Sequence, residues 1–345
     1  MTVRQEGYRP GTLRVALVTT SYPRTTGDSA GHFVETEALA YASEGHDVHV
    51  IAPGRRASVR TVERPEGPVT VWGAGGDSLF GAPGALFRAR ERPLRLFELL
   101  DFVPSTVRLL RALGPVKRTV AHFLLPCGYP LALAASGDIE VVLHGSDVRV
   151  FVRLPTVVRS HVVGRLLARG ARFRFVSEEL RGTLETSLRR AQRERLHATS
   201  RVELPPIDVR LRPRVSDPRD PGPLRPRWVT CSRLIASKRV DRAIREAARS
   251  NVDLTIIGDG PLRDELEALA ASLEPRARFV GHVSREMALG LIADSHRLVH
   301  LSEAEGAPTV IREARALGIP VLATPVGDVA RWALDDPGIE IFRPV

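Results

Sequence analysis

The segment "WVTCSRLIASKRVDRAIREAA" (228–248) contains the pattern that decides the fold of this chain. Its first part, "WVTCSR" (228–233), is rich in apolar and β-branched residues, which is typical of a buried strand. A helical pattern follows from about residue 239, so the segment predicts a strand, a loop and a helix in that order. Strand–loop–helix units of this kind build parallel sheets with helices on both faces.

The same unit recurs along the whole chain. In the first half the strand-like runs are "LRVALVT" (13–19), "DVHVIAP" (47–53), "VTVWGAG" (69–75), "TVAHFLL" (119–125), "EVVLHG" (140–145) and "RFRFVS" (172–177). After "WVTCSR", the second half continues with "DLTIIGDG" (253–260), "ARFVGHV" (277–283), "RLVHLSE" (297–303), "PVLATPV" (320–326) and "IEIFRP" (339–344). Between the two series, residues 213–227 hold five prolines and one glycine, which is typical of a stiff linker. We therefore predict an α/β protein with two Rossmann-like, doubly wound parallel-sheet domains, 1–212 and 228–345, facing a central cleft.

The net charge of +10 raises the question of an anionic partner. Residues 55–118 hold twelve basic and six acidic residues, and the stretch 86–111 mixes Arg with Leu and Phe. Such a stretch is either a solvated helix face or a peripheral contact with a membrane surface. No sequence signature of a nucleic-acid-binding module occurs, so we expect no nucleic-acid partner.

The composition also indicates the cellular compartment of the protein. The only cysteines, Cys127 and Cys231, are too few for a disulfide framework and lie in no metal-spaced cluster. The chain has no apolar run of eighteen residues, and its start lacks the pattern of a secretory signal. We expect a cytoplasmic protein, located at the inner membrane surface if 86–111 makes the membrane contact.

Lysine is rare in this chain: Lys117 and Lys238 are the only two among fifty basic residues. Lys238 and Arg239 lie where a helix begins, and the helix dipole places partial positive charge at that end. Two cations are unfavourable there without an anion. We interpret Lys238, together with Arg233 at the end of the strand, as a cradle for a diphosphate. The alternative is two ordinary surface bases.

A second candidate site is "SEAEGAPTVIREARALGIPV" (302–321). Glu305 lies in the predicted turn after a strand, and Glu313 lies on the following helix, for which Pro308 suits the first position. Backbone N–H groups at a helix start suit phosphate, and carboxylates accept hydrogen bonds from the diols of sugars. Two glutamates eight residues apart are by themselves a weak signal.

Two further loops follow predicted strands. His144, after "VVL", is placed to contact a sugar hydroxyl or transfer a proton, or is a histidine satisfied by the turn backbone. The loop after the first strand contains Gly27 and Gly31, which allow a close approach of backbone to ligand. It does not match GxGxxG, so we expect no nicotinamide cofactor. The turn "GDGPLRDEL" (258–266) is interpreted as a helix start rather than a catalytic loop.

Taken together, these residues and their order show that nearly the whole chain resembles the retaining glycosyltransferases of the GT4 group, which have the GT-B fold. Several weak motifs occur in the family's order. They are "SYPRTTGDSAGHFVETEALAYASEGHDVHVIAP", "HFLLPCGYPLALAA", "LHGSDV", "RFVSEELRGTL", "CSRLIASKRVDRAIREA", "LTIIGDGPLRDELEALA", "ARFVGHVSREM", the Glu305-to-Glu313 spacing and "EARALGIPVLATPVGDV".

The resemblance implies roles for these residues. The first domain would bind the acceptor and the second the nucleotide-sugar donor, with His144 and Glu305 near the reacting bond. Donor-binding positions would be Gly31, Arg233, Lys238, Gly281, Gly306, Ala307, Pro308, Thr309 and Glu313. The implied enzyme is a metal-independent, retaining hexosyltransferase without a cofactor. Its co-substrate would be a UDP- or GDP-sugar, and its acceptor a glycan, a lipid-linked molecule or a small molecule.

The chain also departs from the family pattern. Ala30 occupies a position where many relatives have the first glycine of a pair, and Asp328 stands where a second glycine is common. Relatives continue beyond "EIFRPV" with helices that pack onto the first domain, so we expect a shortened chain, a looser hinge or weakened activity. Three alternatives remain open: a nucleotide-sugar epimerase of the same fold, a non-catalytic nucleotide-sugar-binding protein and, least favoured, a nucleic-acid binder.

Overall fold

A computed structural model describes residues 12–25, 28, 30–80, 84–207, 209, 225–273 and 276–343, and only the backbone of Leu86. Most of the predicted linker 213–227, and Gly27, lie outside the described residues. The described residues form two compact units. The first comprises the described parts of 1–23, 30–176 and 180–206, and the second those of 24–29, 177–179 and 207 onward.

The first unit is built on a sheet of eight described strands. They are β1 (Arg14–Val18), β2 (Asp47–Ala52), β3 (Val59–Val62), β4 (Val69–Gly73), β5 (Arg118–His122), β6 (Asp138–Leu143), β7 (Arg172–Phe175) and β8 (Ser200–Val202). The order across the sheet is β3-β4-β2-β1-β5-β6-β7-β8, and only the edge strand β3 is antiparallel to its neighbour. The sequence pattern missed β3 and β8, because both are short and exposed and lack a buried apolar run.

Helices connect these strands. They are α1 (His32–Ser43), α2 (Ala85–Glu91), α3 (Leu99–Ala112), α4 (Tyr129–Ala134), α5 (Ser146–Phe151), α6 (Thr156–Ala168), α7 (Glu178–Thr186) and α8 (Arg190–Ala198), with a 3₁₀ helix over Pro93–Glu98 and a turn over Leu124–Gly128. The apolar faces of α1, β1, β2, β4 and β5 close around a core that includes Leu17, Val34, Val50 and Val120. No helix in the described parts of the chain is long and apolar enough to cross a membrane.

The second unit has six described strands, all parallel. They are β9 (Arg227–Cys231), β10 (Asp253–Ile257), β11 (Ala277–Gly281), β12 (Arg297–His300), β13 (Val321–Ala323) and β14 (Ile339–Ile341). The helices are α9 (Val240–Arg249), α10 (Arg263–Leu273), α11 (Arg285–Ala293), α12 (Thr309–Ala316) and α13 (Val329–Asp335), with a 3₁₀ helix over Ala236–Lys238. Apolar side chains of α11, α12 and the central strands form one core of this unit, as the periodicity predicts.

Each sheet winds outward in both directions from its first strand. In the first unit β1 lies between β2 and β5, and in the second unit β9 lies between β10 and β12. In sheets of this kind, ligands bind beyond the carboxyl ends of the strands where the winding direction changes. The loops after β9 and β12, which carry the candidate phosphate and carboxylate residues, begin at such a point.

Candidate functional site

Two glycines hold the loop after β9, which carries Arg233. A Cβ atom at Gly258, whose φ is +123°, would lie 2.0 Å from the carbonyl oxygen of Ser232. A Cβ atom at Gly260 would lie 2.5 Å from the carbonyl oxygen of Leu234. Only glycine permits this approach of two backbones. The "GDG" turn, predicted as a helix start, therefore supports the loop of a candidate site residue.

The loops after β9 and β12 are joined by backbone and side-chain contacts. Glu303 N donates to Ser237 O over 2.9 Å. Beside this bond, Lys238 Nζ donates to Glu305 Oε1, and the side chains of the pair are only 15% and 12% exposed. His300 Nε2 lies 2.8 Å from the same carboxylate oxygen. The structure thus brings two predicted site residues, far apart in sequence, into direct contact.

The environment of Glu305 favours its charged form. Burial raises the pKa of the carboxyl, but the hydrogen bond with His300 and the positive charge of Lys238 outweigh burial and hold the pKa well below its usual range. Glu305 is consequently an anion throughout the neutral pH range. A fixed carboxylate of this kind accepts hydrogen bonds from hydroxyl groups and does not donate a proton.

The chain supplies its own counter-charges at the start of α9. Arg239, with φ +46°, donates from Nε and Nη2 to the two carboxylate oxygens of Asp241, each over 2.9 Å. Arg239 Nη1 also donates to Glu303 Oε1. Lys238 has Glu305 as its counter-charge. The helix dipole therefore does not by itself require an external anion here, and the diphosphate assignment stays a prediction.

Arg233 lies two residues beyond the end of β9 and its side chain is exposed. Protein atoms around it lower its pKa by desolvation, and the Glu305 carboxylate acts in the opposite direction. The exposure shows that water reaches the side chain, so we expect the desolvation to be modest and the guanidinium to stay charged. Its electrostatic interaction with Glu305 places Arg233 in the same charged cluster as Lys238.

The turn between β12 and α12 is fixed by a second close backbone approach. A Cβ atom at Gly327, whose φ is +57°, would lie 2.3 Å from the carbonyl oxygen of Gly306, which is buried. Helix α12 begins at Thr309, so Pro308 is the N-cap residue and not the predicted first helical residue. Ala307 is half-buried beside it. No described side chain caps this helix, so the turn presents backbone N–H groups at its start.

Glu313 faces inward from α12 and is 7% exposed. Its Oε1 accepts a hydrogen bond of 2.7 Å from Arg285 Nη2, at the start of α11. Burial, with the Glu313 charge as a smaller cause, raises the pKa of Cys231 to about 12, which places Glu313 near the end of β9. Gly281, with φ +74°, ends β11, and its carbonyl oxygen accepts from Gly258 N over 2.9 Å.

Gly31 and His144 belong to the first unit. A Cβ atom at Gly31 would lie 2.1 Å from Ser21 O at a φ of +68°, so packing of the chain on itself already requires glycine there. His144 directly follows β6, and Phe33 and Phe123 flank its ring with centroids 4.6 and 4.9 Å away. Burial, reinforced by the charge of Arg174, lowers the pKa of His144 to about 3.

Asp147 orders the turn in which His144 lies. Its Oδ1 accepts from the backbone N–H groups of His144 and Gly145 over 3.1 and 2.9 Å, and its Oδ2 accepts from Leu124 N over 3.1 Å. Asp147 therefore binds the backbone of this turn, and the imidazole of His144 makes its hydrogen bonds with other groups.

The sequence reasoning missed several residues that contact the predicted ones. His300 contacts Glu305, and Arg285 contacts Glu313. His122 contacts the ring of His144, Glu37 lies next to His122, and Arg174 binds Glu37. His122 lies inside the predicted strand 119–125, whereas β5 ends at His122, so the sequence pattern did not place it at the same sheet edge as His144. Among the described residues, no group of three His, Cys, Asp or Glu side chains is arranged to hold a metal ion.

Comparisons with known proteins bear on this arrangement. Residues 225–339 match the model of the family described as glycosyl transferases group 1. The GDP-mannose-dependent alpha-mannosyltransferase of Mycobacterium tuberculosis is 29% identical over 342 residues, which cover 91% of this chain and 80% of that protein.

Solved structures agree on the fold. The sucrose-phosphate synthase of Thermosynechococcus elongatus has a TM-score of 0.72 and 20% identity, with 96% of this chain and 86% of that chain covered. The Anabaena HepE protein, in complex with UDP and glucose, has a TM-score of 0.66 and 17% identity at the same coverage. The predicted fold class and family resemblance are confirmed. Residues 225–339 are similar to the glycosyl transferases group 1, the chain resembles a GT4-type glycosyltransferase over most of its length, and its fold is the GT-B fold of the solved structures.

Proposed function

We propose that this protein transfers a hexose from a nucleoside diphosphate sugar to an acceptor hydroxyl with retention of the anomeric configuration. GDP-mannose is the first donor to test, because the mycobacterial relative is named for it. UDP-glucose is the second, because the Anabaena structure is a complex with UDP and glucose. The acceptor is a glycan, a lipid-linked molecule or a small molecule.

The observation that carries this proposal is the Lys238–Glu305 contact at the point where the second sheet changes winding direction. Lys238, the exposed Arg233 and the start of α12 lie near the Glu305 carboxylate, whose pKa is held well below its usual range. Phosphate suits the cations and the backbone N–H groups, and sugar hydroxyls suit the carboxylate. One compact cluster thus offers both kinds of group that a nucleotide sugar requires.

The same residues account for a mechanism. As the bond between sugar and diphosphate breaks, negative charge grows on the leaving phosphate and positive charge on the sugar carbon. Lys238, Arg233 and the α12 backbone would stabilise the phosphate, and Glu305 would hold sugar hydroxyls. Charges that are fixed before the reaction stabilise such a transition state most effectively. Lys238 would exchange part of its contact with Glu305 for the phosphate.

In the proposed reaction the leaving phosphate accepts the proton of the acceptor hydroxyl, which attacks from the same face. Glu313 and the backbone around Gly281 would bind the ribose and the base. We assign these steps no metal and no further cofactor, since the cations of the chain supply the charge that the diphosphate needs.

A surface in the first unit supports a membrane-bound acceptor. Leu94, Phe97 and Leu100 are 77%, 65% and 71% exposed, on the 3₁₀ helix and the start of α3. Arg90 and Arg92 are exposed immediately before them. Exposed apolar side chains next to arginines suit an anionic lipid surface. We place the protein at the inner membrane surface for this reason, through the previously predicted stretch 86–111.

The proposal is tested by incubating the purified protein with GDP-mannose, UDP-glucose and a panel of acceptors, followed by mass spectrometry. Transfer of the hexose to an acceptor supports it, and ¹H NMR of the product gives the anomeric configuration. Conversion of the donor to an epimer without acceptor would support the epimerase alternative. Calorimetric binding without any turnover would indicate a non-catalytic nucleotide-sugar-binding protein.

A further inference from the structure

Two histidines of the first unit form a stacked, hydrogen-bonded pair. His122 Nδ1 lies 3.0 Å from His144 Nε2, and the ring centroids are 5.2 Å apart with planes inclined by 18°. His122 ends β5 and is fully buried, and His144 follows the neighbouring strand β6. Each neutral imidazole has one N–H donor and one acceptor nitrogen. One ring must therefore donate to the other, and the direction decides which nitrogen of His144 carries hydrogen.

A carboxylate lies on the far side of His122. Glu37 Oε2 lies 3.7 Å from His122 Nε2, too far for a hydrogen bond but close enough for electrostatic attraction, and that nitrogen has no hydrogen-bond partner among the described residues. Arg174 Nη2 donates to both Glu37 oxygens over 2.5 and 2.6 Å. Burial raises the pKa of Glu37 above its ordinary value, and the charge and hydrogen bonds of Arg174 reduce this rise without cancelling it. The two short contacts with the guanidinium are those of an ion pair, so we take Glu37 as the carboxylate near pH 7.

The other charged groups near the two histidines do not favour the opposite direction of donation between the rings. Glu140 on β6 lies 2.8 Å from both Arg118 and Arg201 and 4.0 Å from Arg174 Nε, so it belongs to the arginine side of the cluster. Asp147 bonds to backbone N–H groups near His144 and not to its ring. Burial lowers the pKa of both histidines, so both rings are neutral near pH 7.

We propose that Glu37 and His122 are positioning residues that hold His144 as the Nε2–H tautomer. A negative carboxylate favours hydrogen on His122 Nε2, which leaves His122 Nδ1 to accept from His144 Nε2–H. His144 Nδ1 then carries a lone pair and acts as a hydrogen-bond acceptor, with its ring oriented by Phe33 and Phe123. This deepens the proposed function and rests on it: His144 accepts from a hydroxyl of the donor sugar or the acceptor.

The tautomer is measured directly by ¹⁵N NMR of the full chain with labelled histidine, and His144→Asn assigns the signals. We expect hydrogen on Nε2 of both His144 and His122 in the wild type. Finding His144 with hydrogen on Nδ1 would overturn the proposal. This measurement needs no substrate, so it stands whether or not the transferase assay succeeds.

A matched pair of variants on α1 tests the role of Glu37. Glu37→Gln removes the negative charge beside His122, and we expect a measurable population of the Nδ1–H form of His144. We also expect a loss of kcat of about tenfold or more, by analogy with the loss found when the partners that orient a metal-binding histidine are removed. The control is Glu35→Gln on the same helix, which breaks a 3.0 Å contact with Arg64, a residue of the loop after β3, and should change neither the tautomer nor kcat. An unchanged His144 tautomer in folded Glu37→Gln contradicts the proposal.

Discussion

Lys238 Nζ donates to Glu305 Oε1, and this ion pair joins the loop after β9 to the turn after β12. One of only two lysines in the chain is thus placed at the point where the second sheet changes winding direction. The pair is mostly shielded from water, so each member is held in place by the other.

Lys238→Met should weaken binding of GDP-mannose and of GDP. A charge-assisted hydrogen bond to phosphate contributes about 1.5–3 kcal/mol, which corresponds to roughly 10- to 150-fold in Kd. Isothermal titration calorimetry measures the change. Lys117→Met is the matched control, because the only other lysine is exposed on the first unit. Equal affinities of Lys238→Met and the wild type would remove Lys238 from the phosphate site.

Glu305→Gln should lower the free energy of unfolding at pH 7 and lose this effect in acid. The folded-state pKa of Glu305 is depressed below 4.5, its ordinary value, so its contribution is present above that pH. It disappears as the pH falls through the depressed pKa, where the wild-type carboxyl is also neutral. Urea unfolding between pH 7 and pH 3 tests the sign. A difference between variant and wild type that grows toward acid pH contradicts the assigned charge.

Gly258→Ala should destabilise the second unit and weaken donor binding together. The added Cβ would lie 2.0 Å from Ser232 O at a φ of +123°, so the loop that carries Arg233 must move. We expect a loss of about 1–3 kcal/mol in unfolding free energy. Gly290→Ala in α11 is the control, since its Cβ meets no atom within 4 Å and alanine favours a helix. Gly290→Ala should unfold at the same or a higher urea concentration than the wild type, and a Gly258→Ala variant that unfolds like the wild type would show that glycine is not required there.

The buried histidine pair predicts a loss of stability below about pH 6.5. The pKa of His144 is lowered to about 3 by burial, whereas an unfolded histidine binds a proton near 6.5. Stability is therefore complete above the unfolded value and falls as the pH drops toward the folded one. His144→Asn should reduce the slope between pH 6 and 4 by up to about 1.4 kcal/mol per pH unit. The exposed His282→Asn serves as the control, and an unchanged slope in His144→Asn is the contrary result.

The exposed apolar residues of the first unit predict binding to anionic vesicles. The triple variant Leu94→Glu, Phe97→Glu, Leu100→Glu should lose co-sedimentation with vesicles of phosphatidylglycerol while retaining its melting temperature. Reversal of charge on an equally exposed surface residue away from this stretch, such as Arg190→Glu in α8, should leave binding intact. Equal binding to neutral phosphatidylcholine vesicles would rule out charge as the basis of the contact.

The sequence by itself determined the fold class and the position of most candidate residues. Periodic apolar runs predicted the long strands and helices because buried strands and amphipathic helices leave strong local patterns. Placement after strands β9, β12 and β6 identified Arg233, Glu305 and His144, since the ends of parallel strands meet at one edge of the sheet. The edge strands β3 and β8 were not predicted, because exposed strands need no apolar run in the sequence.

Only the tertiary structure decided which residues contact one another. The sequence argument required an external anion near Lys238, but chain folding brings the Glu305 carboxylate to it across 67 positions. Glu37 and Arg174 meet across 137 positions behind the histidine pair. Such pairs leave no local signal, because their energy depends on distance and burial in the folded chain and not on neighbours in sequence.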